Sequence, residues 1–142
     1  DNLHQKAGSR NVIEYHGNSR RLICTSCGKT TEPTEELLAE KLPRCECGGI
    51  YKPDFIFFGE SIPAEALSRS QQEAQNCDCM ILIGTTGEVY PAAMVPQIAS
   101  QNGATIIEIN PSPSLYTQQI TDIFIRAGAV EAGKALRKEL FA

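Results

Sequence analysis

Apolar positions fall into short blocks along the chain, and their spacing predicts strands alternating with helices. Residues 1–10 suit one or two helical turns, closed by Gly8 just past the helix end. Val12, Ile13 and Tyr15 predict a short strand over 11–15 that delivers His16-Gly17 at its carboxyl end. Phe55-Ile56-Phe57-Phe58 is a brief apolar run ended by Gly59-Glu60, and Pro63 to Ala74 predicts a surface helix with Leu67 and Ala74 inward. Cys79-Met80-Ile81-Leu82-Ile83 has no polar interruption, the pattern of a strand buried on both faces. A helix is predicted from Met94 to Gln101 with Gly103 after its end, then strands at 105–109 and 123–125. Residues 128–140 predict a last helix with Ala129, Ala132, Leu136 and Leu140 on one stripe.

Strands and helices that alternate over short links imply βαβ units and a parallel sheet, hence an α/β fold. Ligands of such sheets sit at the carboxyl ends of strands. Three ends carry suggestive residues: Gly84-Thr85-Thr86-Gly87, Asn110, and Arg126-Ala127-Gly128. Small and hydroxyl residues let backbone N–H groups approach a phosphate, and an asparagine there can bind a ribose hydroxyl. None is diagnostic alone, and the chain has no G-x-G-x-x-G.

Residues 20–52 differ in character, being rich in Cys, Gly, Glu and Lys. They hold Cys24-x-x-Cys27 and Cys45-x-Cys47, each pair followed by glycine where a tight turn needs positive φ. Two close thiol pairs match a tetrahedral zinc site, and four protein ligands leave no open position, so the metal would be structural. Buried free cysteines or disulfides are the alternative. Between the pairs, Pro33-Thr34-Glu35-Glu36-Leu37-Leu38 predicts a helix with proline in its first turn, Leu38 and Leu42 on one face, and Pro43 as its stop. Cys77-x-Cys79, at the entrance of an apolar strand, fits small hydrophobes better than ligands. The expected organisation is a zinc-ribbon module at 20–52 inserted in a larger domain formed by 1–19 and 53–142.

At 142 residues with 42% apolar and 21% charged content, the chain can bury a core. No run approaches the roughly 20 apolar residues of a membrane span. Net charge is −4 and basic residues are scattered, which argues against a nucleic-acid surface. The opening Asp1-Asn2-Leu3-His4 has neither a secretory signal's pattern nor an initiator Met, so a processed product or a fragment is expected. Clustered cysteines without a signal suit a reducing compartment, and the expectation is cytoplasmic. Of two histidines, His4 falls in a helix and is expected to be a surface or packing residue. His16, beside a glycine at a strand's end, can face a cleft and act as a base near neutral pH.

Asp1-Asn2-Leu3-His4-Gln5-x-Ala7-Gly8, Glu14-x-His16-Gly17, the four cysteines, Phe58-Gly59-Glu60, Gly84-Thr85-Thr86 and Ile107-Glu108-Ile109-Asn110 follow in that order. Over essentially the whole chain this resembles the sirtuins, the NAD-dependent protein lysine deacylases. The resemblance implies a Rossmann-like large domain and a small zinc domain, with NAD and an acyl-lysine peptide meeting in a cleft between them. It implies His16 as general base and Cys24, Cys27, Cys45 and Cys47 as zinc ligands. It also implies Asp1 in the nicotinamide pocket, Gly84, Thr85 and Thr86 on ribose and phosphates, Asn110 on the adenosine ribose, and Ala129 as a further cofactor contact. Phe58, Gly59, Glu60, Glu88, Val89 and Tyr90 would flank the substrate peptide as a strand-like staple. The implied reaction is attack of the acyl oxygen on the nicotinamide ribose carbon, releasing nicotinamide. His16 would then take a proton from a ribose hydroxyl, which attacks the imidate so formed, and water completes the transfer to give free lysine and O-acyl-ADP-ribose.

The chain also departs from the family pattern. Its second pair is Cys-x-Cys rather than Cys-x-x-Cys, and Thr86 stands where Ser is frequent. The family's Gly-Ala-Gly phosphate loop, its cofactor-binding loop, the Gln-Asn-Ile ahead of Asp1 and the Tyr/Arg pair for acidic acyl groups are not in this sequence. The Rossmann-like sheet is therefore expected to be incomplete and the chain alone inactive, with the N-terminal part of the same protein as its partner. Two other readings stay open: a non-catalytic zinc-ribbon interaction module, and an NAD-dependent mono-ADP-ribosyltransferase.

Overall fold

Two separate three-stranded sheets form, one antiparallel and one parallel. The computed structural model describes residues 1–141, and the chain divides into two compact units, Asp1–Leu67 and the remainder from Ser68.

In the first unit, α1 (Leu3–Lys6) closes as expected at Gly8, whose φ of +91° frees its N–H for Gln5 O while Ser9 N–H reaches His4 O. The predicted strand at 11–15 does not form. Strand β1 (Gly17–Cys24) begins where that strand was to end, because Gly17 N–H turns back to Glu14 O at 2.9 Å. Gly17, at φ +80°, then pairs with Phe55 of β3 (Tyr51–Phe55). Only glycine fits there, since a Cβ would lie 2.2 Å from Asp54 O. Strand β2 (Thr30–Thr31) pairs on the other edge of β1, giving the order β2-β1-β3.

Helix α2 (Glu35–Ala39) starts one residue beyond Thr34, whose Oγ1 accepts Leu37 N–H at 3.2 Å, so Pro33 precedes the cap. The helix stops short of Pro43 because Glu40 is already extended. Leu38 and Leu42 therefore share no helical face and are both exposed, and Leu37 packs inward instead. The core of this unit is Leu22, Cys24, Cys45 and Tyr51. Two of these four are cysteines, so the unit has little apolar core apart from its sulfur cluster.

In the second unit the α/β expectation holds. Strands β4 (Cys79–Ile83), β5 (Thr105–Asn110) and β6 (Ile123–Arg126) are parallel in the order β4-β5-β6, with Ile83 opposite Ile109 and Asn110 opposite Arg126. Helix α3 (Ala64–Asn76) leads into this unit; Ala74 is buried as predicted, while Ala66 and Ser70, rather than Leu67, complete its inward face. Helix α4 (Met94–Gln101) forms where predicted, with Gly103 beyond it at φ +90°. The core joins Ala74, Leu82, Ala99, Ala104, Ile106 and Tyr116.

Two burial expectations fail. Strand β4 is covered on one face only: Leu82 enters the core, but Ile81 and Ile83 are 51% and 52% exposed. An apolar run alone does not say which layer covers each face of a strand. On α5 (Ala129–Leu140) only Ala132 of the predicted stripe is buried, and Leu140 is largely exposed. Among the described residues no helix is long and apolar enough to cross a membrane.

Candidate functional site

The four cysteines of the first unit converge, brought together by the turns that follow each pair. Gly28 and Gly48, at φ +74° and +86°, send their N–H groups back to Cys24 O and Cys45 O at 3.0 and 2.8 Å. Gly49 leaves room for sulfur, since a Cβ there would lie 2.6 Å from Cys24 Sγ. The four Sγ atoms lie within 4.8 Å of one another, with Cys24–Cys47 at 3.5 Å and Cys27–Cys45 at 3.7 Å. A tetrahedron with Zn–S bonds of ~2.3 Å has S–S edges of about 3.8 Å. The Cys-x-Cys spacing therefore closes the same geometry as the commoner pair.

The electrostatics of the cluster call for a cation. A hydrogen bond from the Tyr51 hydroxyl, then the Cys47 N–H, brings the Cys45 thiol down to about 6. The Cys27 and Ser26 N–H groups lower Cys24. Cys47, although helped by the Gly49 N–H, is pushed up to about 12 by the sulfurs of Cys27 and Cys24. Four thiolates cannot coexist at these distances without a positive ion among them, and the donor set fits Zn²⁺. Among the described residues this is the only group placed to hold a metal. Cys77 instead packs beside the second unit's core with its Sγ 3.6 Å from Ala74 O, and Cys79 is exposed.

His16 sits in the turn before β1 rather than at a strand's end. Its carbonyl accepts Ile56 N–H at 3.0 Å, and its exposed ring meets Tyr15 edge-on at 5.3 Å. The turn is braced from below. Glu14 accepts Gln5 Nε2 at 2.9 Å and Arg21 at 3.3 Å, and Arg21 also reaches Asp54 at 2.9 Å. Buried Asn18 donates to both Glu14 and Asn2. These neighbours hold the backbone and leave the imidazole free. Asp1 lies at the start of α1, where its carboxylate accepts Leu3 N–H at 3.0 Å.

In the second unit, Gly84, Thr85, Thr86 and Asn110 gather with Pro111, Ser112 and Pro113 around a cleft of about 270 Å³. It opens at the carboxyl ends of β4 and β5, the position expected for a ligand of a parallel sheet. Gly84 turns at φ +62° and donates to Ile109 O, and Gly87 N–H reaches Thr85 Oγ1 at 3.3 Å. The cleft wall is fixed by Leu115 N–H on Thr86 O at 3.0 Å, and by the Tyr116 ring against Gly87, where a Cβ would lie 2.7 Å away. Ala129, the first residue of α5, is not among the lining residues.

Sequence reasoning missed the groups beneath this cleft. Glu108 is fully buried, and its carboxylate receives Asn110 Nδ2 at 3.1 Å and the hydroxyls of Thr117 and Thr121, both at 2.8 Å. Burial alone would raise its pKa, but the donors Ser114, Thr121, Asn110 and Thr117 outweigh it and hold the carboxyl below its usual range. A lone acid inside Thr105-Ile106-Ile107-Glu108-Ile109 was the available signal, since a buried carboxylate requires partners.

The two suggested peptide-flanking stretches are each placed in their own unit. Phe57 to Glu60 form a turn with Gly59 at φ +90° and Phe58 96% exposed; Glu60 pairs with Lys52 at 2.6 Å, and that ammonium lies 5.0 Å from the Phe57 ring centre. Glu88, Val89 and Tyr90 form an exposed segment after Gly87.

Comparison with known proteins gives a consistent pattern. A model described as the Sir2 family matches residues 1–91. The chain is similar to an NAD-dependent protein deacylase of Pyrococcus abyssi, 44% identical over 137 residues, covering 92% of this chain and 54% of that protein. Among solved structures it is similar to a Sir2 homolog–NAD complex, with TM-score 0.91 and 40% identity over 98% of this chain and 54% of that one. Sir2Tm bound to a propionylated peptide gives TM-score 0.89 at 30% identity, over 97% and 60%. The chain spans about half the length of the curated relatives it matches.

Proposed function

The chain belongs to the Sir2 family, and on that premise we propose that it forms part of an NAD-dependent protein lysine deacylase. The observation that carries this reading is the cleft at the carboxyl ends of β4 and β5. There Gly84, whose turn brings the backbone close, stands with the backbone and hydroxyls of Thr85 and Thr86 beside Asn110. The relatives named for NAD-dependent deacylation, and the solved structures that hold NAD or a propionylated peptide, support it.

In this reading Gly84, Thr85 and Thr86 hold the ribose and phosphates and Asn110 the adenosine ribose, with Asp1 near the nicotinamide and Ala129 a further cofactor contact. The dinucleotide supplies an electrophilic ribose carbon and nicotinamide as leaving group. His16 takes the proton from a ribose hydroxyl, which its exposed ring on a braced turn allows. Cys24, Cys27, Cys45 and Cys47 hold a structural zinc in the module of residues 20–52, within a large domain of 1–19 and 53–142, and four sulfurs leave it no open position for chemistry. Phe58-Gly59-Glu60 and Glu88-Val89-Tyr90 flank an acyl-lysine peptide. A reducing, cytoplasmic setting keeps the thiols available to the metal.

The test is made on the intact protein, because the chain spans about half of its relatives. His16→Ala is expected to abolish NAD-dependent release of free lysine from an acetylated peptide, while zinc stoichiometry by elemental analysis stays at one. Retained deacylation removes the role given to His16. Transfer of ADP-ribose to protein, seen by mass spectrometry in place of O-acyl-ADP-ribose, replaces this reading with mono-ADP-ribosyl transfer.

A further inference from the structure

The amide of Asn110 has both of its N–H groups committed inside the protein. One reaches the Glu108 carboxylate at 3.1 Å and the other the Thr85 carbonyl at 2.6 Å. Both partners only accept, so the amide cannot turn over without setting its oxygen against a carboxylate and a carbonyl. Among the described residues no hydrogen bond reaches Asn110 Oδ1, and Asn110 lines the cleft. Glu108 is closed to any ligand: it is fully buried, and its other oxygen is taken by the hydroxyls of Thr117 and Thr121. Those two threonines belong to the 111–121 loop, so the same carboxylate ties the loop to β5.

We propose that Glu108 is a positioning residue that locks the Asn110 amide oxygen toward the cleft, where it accepts a ligand hydroxyl and disfavours an acceptor-only group such as phosphate. The inference rests on the nucleotide reading of the cleft given above. Its physical content is one of polarity: a fixed acceptor, with a carboxylate behind it, rewards a donor and repels an anion.

The experiment is calorimetric titration of the intact protein with ADP-ribose and with its 2′-phosphorylated form. Each variant is first checked for zinc content and cooperative thermal unfolding. Asn110→Ala is expected to weaken ADP-ribose by about tenfold, the worth of one good hydrogen bond. Glu108→Ala is expected to lose about as much, and Glu108→Gln, which keeps an oxygen for the Asn110 amide, to recover part of it. In the Asn110→Ala background Glu108→Ala should cost nothing further, and wild-type preference for the unphosphorylated ligand should narrow in both single variants. A Glu108→Ala affinity within about twofold of wild type overturns the proposal, as does an equal loss in both backgrounds, which marks a purely structural role. If Asn110→Ala itself binds like wild type, the nucleotide reading of the cleft fails and takes this inference with it, a distinguishable result. Should Glu108→Ala not fold, Asn110→Asp decides. Its carboxylate still offers an acceptor but faces Glu108 and Thr85 O, so the lock requires a loss at least as large as in Asn110→Ala. Wild-type affinity in Asn110→Asp overturns it.

Discussion

The sulfur cluster of the first unit and the Glu108 network of the second are both buried polar groups, yet they are completed in opposite ways. The cluster gathers four groups of one kind, with Cys24 Sγ and Cys47 Sγ 3.5 Å apart, and the neutral hydroxyl and N–H donors around it supply no positive charge to balance four thiolates. The network sets one carboxylate among complementary donors, Asn110, Thr117 and Thr121, and is satisfied by the chain itself. The sulfur cluster therefore calls for a cation from outside the chain, while the Glu108 carboxylate finds its partners within it. Core composition points the same way, since two of the four core residues in the first unit are cysteines and the second has six buried residues without sulfur.

Removing the metal should separate the two regions most. Structural zinc contributes on the order of 10 kcal/mol of apparent folding free energy in small cysteine modules. Chelation is expected to raise amide exchange across residues 20–52 toward unfolded rates, while the amides of β4 and β5 stay protected. Exchange read by mass spectrometry checks it. Equal loss of protection in β5 would show that the second unit also depends on the metal.

Acid should act on the other region. The folded Glu108 carboxyl lies below its ordinary value near 4.5, held there by hydroxyl and amide donors against the cost of burial. A group depressed on folding stabilises fully above its unfolded value, and that contribution is lost as pH falls through the folded one. The thermal transition of the second unit is therefore expected to drop as pH is lowered below about 4.5. Glu108→Gln should flatten that slope and cost about 1–3 kcal/mol at neutral pH, the range for disturbing a charged buried hydrogen bond. An unchanged slope in Glu108→Gln would move the acid sensitivity to another group.

The same contrast explains what could be read from the chain. Cysteine spacing needs only local sequence, so Cys24, Cys27, Cys45 and Cys47 were legible before any geometry, as were α4, β5 and the parallel sheet. The cleft residues Gly84, Thr85, Thr86 and Asn110 were legible because they stand at or just after the carboxyl end of a strand. Glu108 was passed over, because its partners lie up to 13 residues away and are ordinary threonines. The strand before His16 was misplaced for a related reason. Val12, Ile13 and Tyr15 have strand propensity, but pairing follows Gly17, whose contact with Asp54 lies 37 residues on in the chain. Exposure of Ile81 and Ile83 likewise depends on which layer packs over that face of the sheet, which an apolar run does not encode.

The smallest expected effect sharpens the comparison from inside the metal-dependent unit. Thr34 caps α2 by accepting Leu37 N–H, and Leu37 is the helix residue that packs on the cysteine core. Losing such a cap costs about 1 kcal/mol in an ordinary helix. A five-residue helix cannot sustain itself in water, so the cap works only where the rest of the unit already holds the helix in place. Thr34→Ala should therefore leave cysteine coordination intact and weaken zinc affinity by no more than about fivefold, as read by competition with a colorimetric chelator. A loss far beyond that would mean the α2 cap and the metal are strongly coupled, and that local helix chemistry, rather than the four sulfurs, sets the stability of the first unit.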